Sequence, residues 1–308
     1  MKKLTTLQIA IMVIGLFIFA NADVIIEQRT YMESAGLLNV EMDGTQYVKN
    51  DRSCTKGTNK MSGGIMSMVG GDKITEYMHI TRLDKKVKWN IDYKSNTYNE
   101  VMLQNLSNIG QSSQPQGKPG QANQTDLTWT IEIKESNETV NINGYDCKKV
   151  TGIANGVSAT DPTRKIRITY DYWYAHNVPA IDELKEFNSN YSGIAGVDKM
   201  WSDNDMGQYF SNYGDQFDKI TEKMQEADGY PIKTNIVMES STAGKGAKSD
   251  DVDYSKIPPE MKALMGLDDK PKGELNKSFS ISTEVLSIEE SDIDDSEFEI
   301  PMGFTKNK

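Results

Sequence analysis

Ile166-Arg167-Ile168-Thr169-Tyr170-Asp171-Tyr172-Trp173-Tyr174 sets an apolar or aromatic side chain at every even-numbered position. A period of two is the mark of a β-strand with one buried face. The same alternation recurs upstream, with Val87, Trp89, Ile91 and Tyr93 spaced by Lys88, Asn90 and Asp92. It recurs again where Leu127, Trp129, Ile131 and Ile133 are spaced by Thr128, Thr130 and Glu132. Further strand patterns begin at Ile232 and Phe279. Turn-forming pairs punctuate the runs, and hairpins are expected at Asp43-Gly44, Asp84-Lys85 and Asn143-Gly144. Consecutive strands joined by short turns predict an antiparallel sheet with one apolar face.

Helical periodicity is concentrated between Tyr174 and Ile232. Asn177 and Pro179 suit a helix start, and Ile181, Leu184 and Phe187 follow at helical spacing. A second helix is expected over residues 205–227, where Met206, Tyr209, Phe210, Tyr213, Phe217, Ile220 and Met224 fall on one side before Gly229 and Pro231. An amphipathic helix must cover something apolar, and the sheet is the available partner. The expected class is therefore α+β, a curved antiparallel sheet or half-barrel covered by helices. Residues 23–308 read as one domain with polar insertions near 110–126 and 241–255, and a short helix is expected near 259–264.

Residues 1–22 read as a secretory signal peptide. Lys2 and Lys3 precede an apolar run over 9–19, and Ala20-Asn21-Ala22 gives the small-x-small pattern for cleavage before Asp23. The run is short for a bilayer span, which takes roughly 20 residues. A periplasmic or secreted protein with no transmembrane segment after cleavage is expected. Cleavage removes two lysines and no acid, taking the formal charge from −11 to −13. Such a balance argues against nucleic acid as a partner. Lys85-Lys86-Val87-Lys88, the densest basic stretch, runs into a strand pattern and reads as a solvated face. Cys54 and Cys147 are the two cysteines, and in an oxidising compartment they are expected to pair. Two separate buried thiols are the alternative. A bridge would add about 4 to 5 kcal/mol through loop-closure entropy.

No catalytic signature emerges. His79 and His176 have no Cys or carboxylate at ligand spacing, and neither a nucleophile elbow nor a phosphate loop occurs. Asp203-Asn204-Asp205 lacks the glycine and closing glutamate of a calcium loop. The seven acids between Glu289 and Glu299 read as a solvated acidic edge. Met61, Met66, Met68 and Met78 raise Cu(I) but fit adaptable apolar filling better. No enzyme, cofactor or metal is expected.

Three further segments carry a resemblance. The hairpin arm Gly144-Tyr145-Asp146-Cys147-Lys148-Lys149, the strand Gly229-Tyr230-Pro231-Ile232-Lys233, and the ending from Thr283-Glu284-Val285 to Phe298-Glu299-Ile300-Pro301-Met302-Gly303-Phe304 resemble an exported bacterial family of unknown function. That family lies in the superfamily of the lipoprotein carriers LolA and LppX. The resemblance implies a half-barrel closed by helices over an apolar cavity that holds lipid or acyl chains. The chain departs from those carriers in its polar insertions and its aromatic-rich helix, which could fill the cavity instead of lining it. Two readings follow. One is a binding protein with an apolar small molecule or lipid as partner, walled by Trp89, Trp129, Tyr170, Tyr172, Tyr209, Phe210 and Phe217. The other is a structural or protein-interaction envelope protein with a filled cavity.

Overall fold

The computed structural model describes residues 23–34, 38–63, 71–105, 127–195, 229–241 and 273–307. The first six strands are β1 (Val24–Ser34), β2 (Leu38–Lys49), β3 (Arg52–Ser62), β4 (Lys73–Arg82), β5 (Val87–Asp92) and β6 (Thr97–Met102). The next five are β7 (Leu127–Ile142), β8 (Tyr145–Ser158), β9 (Lys165–Ala175), β10 (Tyr230–Ser241) and β11 (Leu275–Glu290). A two-residue strand, β12 (Thr305–Lys306), ends the described chain, and one α-helix, α1 (Ile181–Ala195), lies between β9 and β10.

All twelve strands form one sheet in the order β12-β6-β5-β4-β3-β2-β1-β11-β10-β9-β8-β7. The chain thus runs outward as one meander from β1 to β6, then starts again at the far edge and meanders inward from β7 to β11. The two arms meet where β11 pairs antiparallel with β1. Every other pairing is antiparallel except that of β12 with β6.

This architecture corrects the expected α+β class. Among the described residues a single α-helix accompanies the sheet, and it does not lie across a sheet face. Helical spacing over 181–187 is real, but it buries Leu184, Phe187 and Tyr191 against a cluster at one end of the sheet. That cluster gathers Val24, Val48, Leu83, Leu103, Ile232 and Ile288. The helix expected over 205–227, the segment 110–126, residues 242–255 and the short helix near 259–264 lie outside the described residues.

Register shows which face of each arm is apolar. Along one row Tyr170 faces Ile236, Ile236 faces Ile281, Ile281 faces Met32, Met32 faces Val40 and Val40 faces Met61. Successive side chains alternate between faces, so Cys54, Met78, Ile80, Trp89 and Ile91 of the first arm point to the opposite side from Tyr170. The apolar face therefore changes sides between the arms. In the second arm it carries Val150, Ala154, Ile168, Tyr170, Tyr172, Ile236, Phe279 and Ile281. In the first it carries Cys54, Ile80, Val87 and Trp89 packed with Ile293 and Phe298.

Ile293 and Phe298 belong to the tail after β11, which crosses the first arm before β12 joins β6. Phe298 is fully buried. Asp294 caps a 3-10 turn, Asp295–Phe298, by accepting from the Ser296 amide at 2.8 Å. Strand cations hold the tail along its length: Lys49 bonds the Ile293 carbonyl (2.6 Å) and pairs with Asp23 (2.9 Å), and Lys56 meets Glu297 (2.8 Å). Arg52 lies near Asp295 (3.2 Å) and over the Phe298 ring. Arg82, with its side chain 8% exposed, bonds Asp84, Glu299 and the Phe298 carbonyl. The acids read from sequence as a solvated edge are thus partly spent on fixing this strap. Solvent-exposed pairs contribute little singly, so the apolar anchors supply most of its stability, whereas stranding buried Arg82 without a partner would be costly.

Local turn chemistry is mostly as expected. Asn143 (φ 50°) and Gly144 (φ 91°) make a two-residue hairpin turn of the left-handed kind, and a turn links β4 to β5 around Asp84-Lys85. Asp43-Gly44, however, lies inside β2, and the β2–β3 turn is at Asn50-Asp51 with Asn50 at φ 54°. The reversal falls there because Asp43 is used as a strand residue, accepting a 2.6 Å hydrogen bond from Arg29 on β1.

The expected disulfide is also corrected: Cys54 and Cys147 are free. Cys54 sits beneath the strap in the first arm, while Cys147 packs in the cluster around α1, so each thiol is surrounded by a different core. Burial, the main cause in both, pushes the Cys54 thiol up to about 12 and the Cys147 thiol up to about 11. A raised pKa keeps the thiol protonated and a poor nucleophile. Both cysteines should resist alkylation in the native protein even at mildly alkaline pH. Both should then label fully after unfolding without reductant; intact-mass analysis would show two adducts, and none would mean a bridge.

Candidate functional site

The tyrosine row on β9 is the most distinctive chemistry of the sheet. Tyr170 and Tyr172 are 1% and 6% exposed. Their rings meet edge to face at 6.3 Å, Tyr172 stacks on Tyr174 at 5.7 Å, and Tyr174 meets His176 edge to face at 5.4 Å. These spacings are the favourable ones for aromatic pairs. They arise because residues two apart on a strand share a face. Burial is the leading reason the Tyr170 and Tyr172 hydroxyls sit well above the ordinary phenol range, and each is raised further by a neighbouring tyrosine. Both are therefore neutral hydrogen-bonding groups at any physiological pH.

Around the row, β8 supplies small residues. Gly152 faces Tyr170, Ala154 faces Ile168 and Gly156 faces Ile166. Trp129 of β7 lies over Gly156, where an added methyl carbon would stand 3.0 Å from three atoms of the indole. Toward the centre of the sheet the face continues through Ile236, Met238, Phe279, Ile281 and Met32. One polar pair interrupts it, the Thr30 and Thr283 hydroxyls at 3.0 Å across the β1–β11 seam. An apolar wall with a few placed polar groups is the usual make-up of a small-molecule site.

Of the side chains selected from sequence, Trp129, Tyr170 and Tyr172 come together on this face. Trp89 does not join them. It lies on the opposite side of the first arm beneath the strap, its indole N–H donating to Glu100 at 2.9 Å while Lys85 sits over its ring. Tyr209, Phe210 and Phe217 lie outside the described residues. Sequence reasoning passed over Met32, Phe279 and Ile281, although each alternates with polar neighbours in its own strand. Alternation gives the strand and its face but does not say which strands share that face; only register does.

Two concavities among the described residues are polar. A groove of about 290 Å³ over β1, β2 and β3 is lined by Glu27, Arg29, Asp43, Lys56 and Leu286 among others, with Arg29 paired to Asp43 and Lys56 to Glu297. A second, of about 170 Å³, lies beside α1 between Asn50, Asp51, Glu183, Glu186 and Asn190. Burial there, with Glu186 nearby, raises the Glu183 carboxyl above its usual range. Among the described residues no three His, Cys, Asp or Glu side chains are grouped to hold a metal. The histidines have other partners: His79 Nδ1 is 2.8 Å from the Asn90 side-chain oxygen, and His176 packs on Tyr174. Met78 fills the core of the first arm and accepts from the Tyr93 hydroxyl, while Met66 and Met68 lie outside the described residues.

No family model matches the chain, and no curated protein matches it. Among solved structures, the chain is similar to a LolA superfamily protein from Nitrosomonas europaea, aligned over 91% of each chain with 8% identity and a TM-score of 0.25. At that score the likeness assigns neither family nor function.

The fit of Trp129 over Gly156 is testable. Gly156→Val should force the indole from the sheet, costing about 1 to 3 kcal/mol as for other overpacked sites and changing tryptophan emission. Emission and denaturation midpoint both equal to wild type would contradict that packing.

Proposed function

We propose that this chain is an exported, non-catalytic binding protein whose tyrosine face holds an apolar ligand, a lipid or acyl chain. The observation that carries this reading is the contiguous aromatic row Tyr170-Tyr172-Tyr174, set in an apolar face spanning β7 to β11 and reaching Met32 of β1. Stacked rings give a stiff wall suited to a methylene chain, and the neutral Thr30–Thr283 pair offers hydrogen bonding without charge. Export rests on residues 1–22, with their basic start, apolar run and Ala20-Asn21-Ala22.

A second reading is a structural or protein-interaction role in which the face is filled by the protein's own side chains. Tyr170, at 1% exposure, favours it. Native mass spectrometry of the full chain expressed in a bacterium and recovered from the envelope separates the two. The binding reading expects a polypeptide beginning at Asp23 that carries a lipid-sized adduct, lost when Tyr172→Asp places a charge on the face. A processed protein with no adduct and no uptake of a fluorescent fatty acid would favour the filled face, and retention of residues 1–22 would refute cleavage.

A further inference from the structure

The two edges of the sheet are finished differently. At one edge β12 pairs with β6, so the tail covers that strand at Thr97 and Tyr98. At the other, β7 has β8 on one side and, among the described residues, no strand on the other. A strand with one neighbour presents alternate N–H and C=O groups outward, which makes it a template for another strand. From Leu127 to Glu135 β7 pairs with β8 without interruption, and a bulge then spans residues 136–138. On the face turned away from the tyrosines, Glu132 and Lys134 pair at 3.0 Å with side chains 57% and 60% exposed.

Two copies of β7 can pair antiparallel about a two-fold axis in only a few registers that keep the apolar face on one side. Centred on Ile133, Glu132 of each copy lies opposite the partner's Lys134, twice over by symmetry. Ile133 then meets itself, and Ile131 lies opposite Glu135, the last residue before the bulge. Centring on Ile131 sets both charges against threonines. Centring on Glu132 or on Lys134 opposes like charges, which destabilises a ladder. Charge complementarity thus selects one register, and that register is self-complementary, as an isologous interface requires.

We propose that β7 is a dimerisation edge, at which a second copy of this chain adds its own β7 over residues 131–135 and joins the two sheets into one. This inference does not rest on the binding reading, since its register is chosen by Glu132 and Lys134 at the outer edge. Sedimentation velocity over a concentration series, at low ionic strength, tests it. Wild type should show a monomer–dimer equilibrium. Glu132→Lys and Lys134→Glu should each weaken the dimer roughly tenfold, because each sets like charges opposite at two symmetric places. The double variant Glu132→Lys with Lys134→Glu should restore it. Both side chains are exposed, so all three variants should keep the wild-type circular dichroism. A wild type that stays monomeric, single variants that dimerise as tightly as wild type, or a folded double variant that stays weakened would each overturn the proposal.

Discussion

The pairing of β1 with β11 is the interaction on which the architecture depends. Within each arm neighbouring strands follow one another in the chain, but the seam joins residues about 250 apart, as in the hydroxyl pair of Thr30 and Thr283. Loop-closure entropy must be overcome before such contacts form, so the seam belongs to the slow end of folding. It is correspondingly reinforced. Lys277 pairs with Glu33 at 2.6 Å, and Asn143 at the tip of the β7–β8 hairpin donates to the Glu284 carboxylate and the Val285 carbonyl. The Tyr145 hydroxyl accepts from the Ile288 amide at 2.8 Å. Without the seam each arm would expose an extra unpaired edge.

The seam also explains why the sheet can turn its apolar side over between arms. On the face opposite the tyrosines, the second arm and seam carry Lys149 with Asp171, Lys233 with Glu284, and Arg29 with Asp43, a lattice of half-exposed pairs that needs no cover. The first arm is apolar on that same face and needs one. Because β11 ends beside β1, the tail emerges next to the arm that lacks a cover, and Ile293 and Phe298 reach Cys54, Ile80 and Trp89 within a few residues. A strap of irregular chain does the work that a covering helix was expected to do. Its own backbone is satisfied by strand cations and by Asp23, which accepts from the Ile293 amide at 3.0 Å.

Much of the local structure was legible in the sequence, because strand alternation and the Asn143-Gly144 turn are properties of a few adjacent residues. The start of α1 was legible for the same reason. The strap was not, since an acidic run looks solvated until Lys49, Arg52, Lys56 and Arg82 are seen to face it from strands more than two hundred residues away. The Asp43-Gly44 turn failed because a turn-forming pair can be held in a strand by cross-strand bonding, here from Arg29. The cysteine pairing failed because compartment and parity speak to whether thiols can bridge, not to whether the fold brings them together. For the tyrosine face, Tyr170, Tyr172 and Trp129 stood out as aromatic, whereas Phe279, Ile281 and Met32 became part of it only through register.

That division between arms also sets where the non-local contacts of the sheet lie. The strap holds the first arm with fully buried Phe298 and a buried Arg82 bonded on three sides, so opening it would expose both an aromatic anchor and a charge-bonded network. The tyrosine face, by contrast, is built on a mid-arm strand whose hydrogen bonds to β8 and β10 are already made. Its rings can change their contacts without breaking a strand ladder. Non-local contacts thus concentrate in the seam and strap, while β9 is held by ladders to its two neighbours. That separation follows from the way two meanders share one sheet.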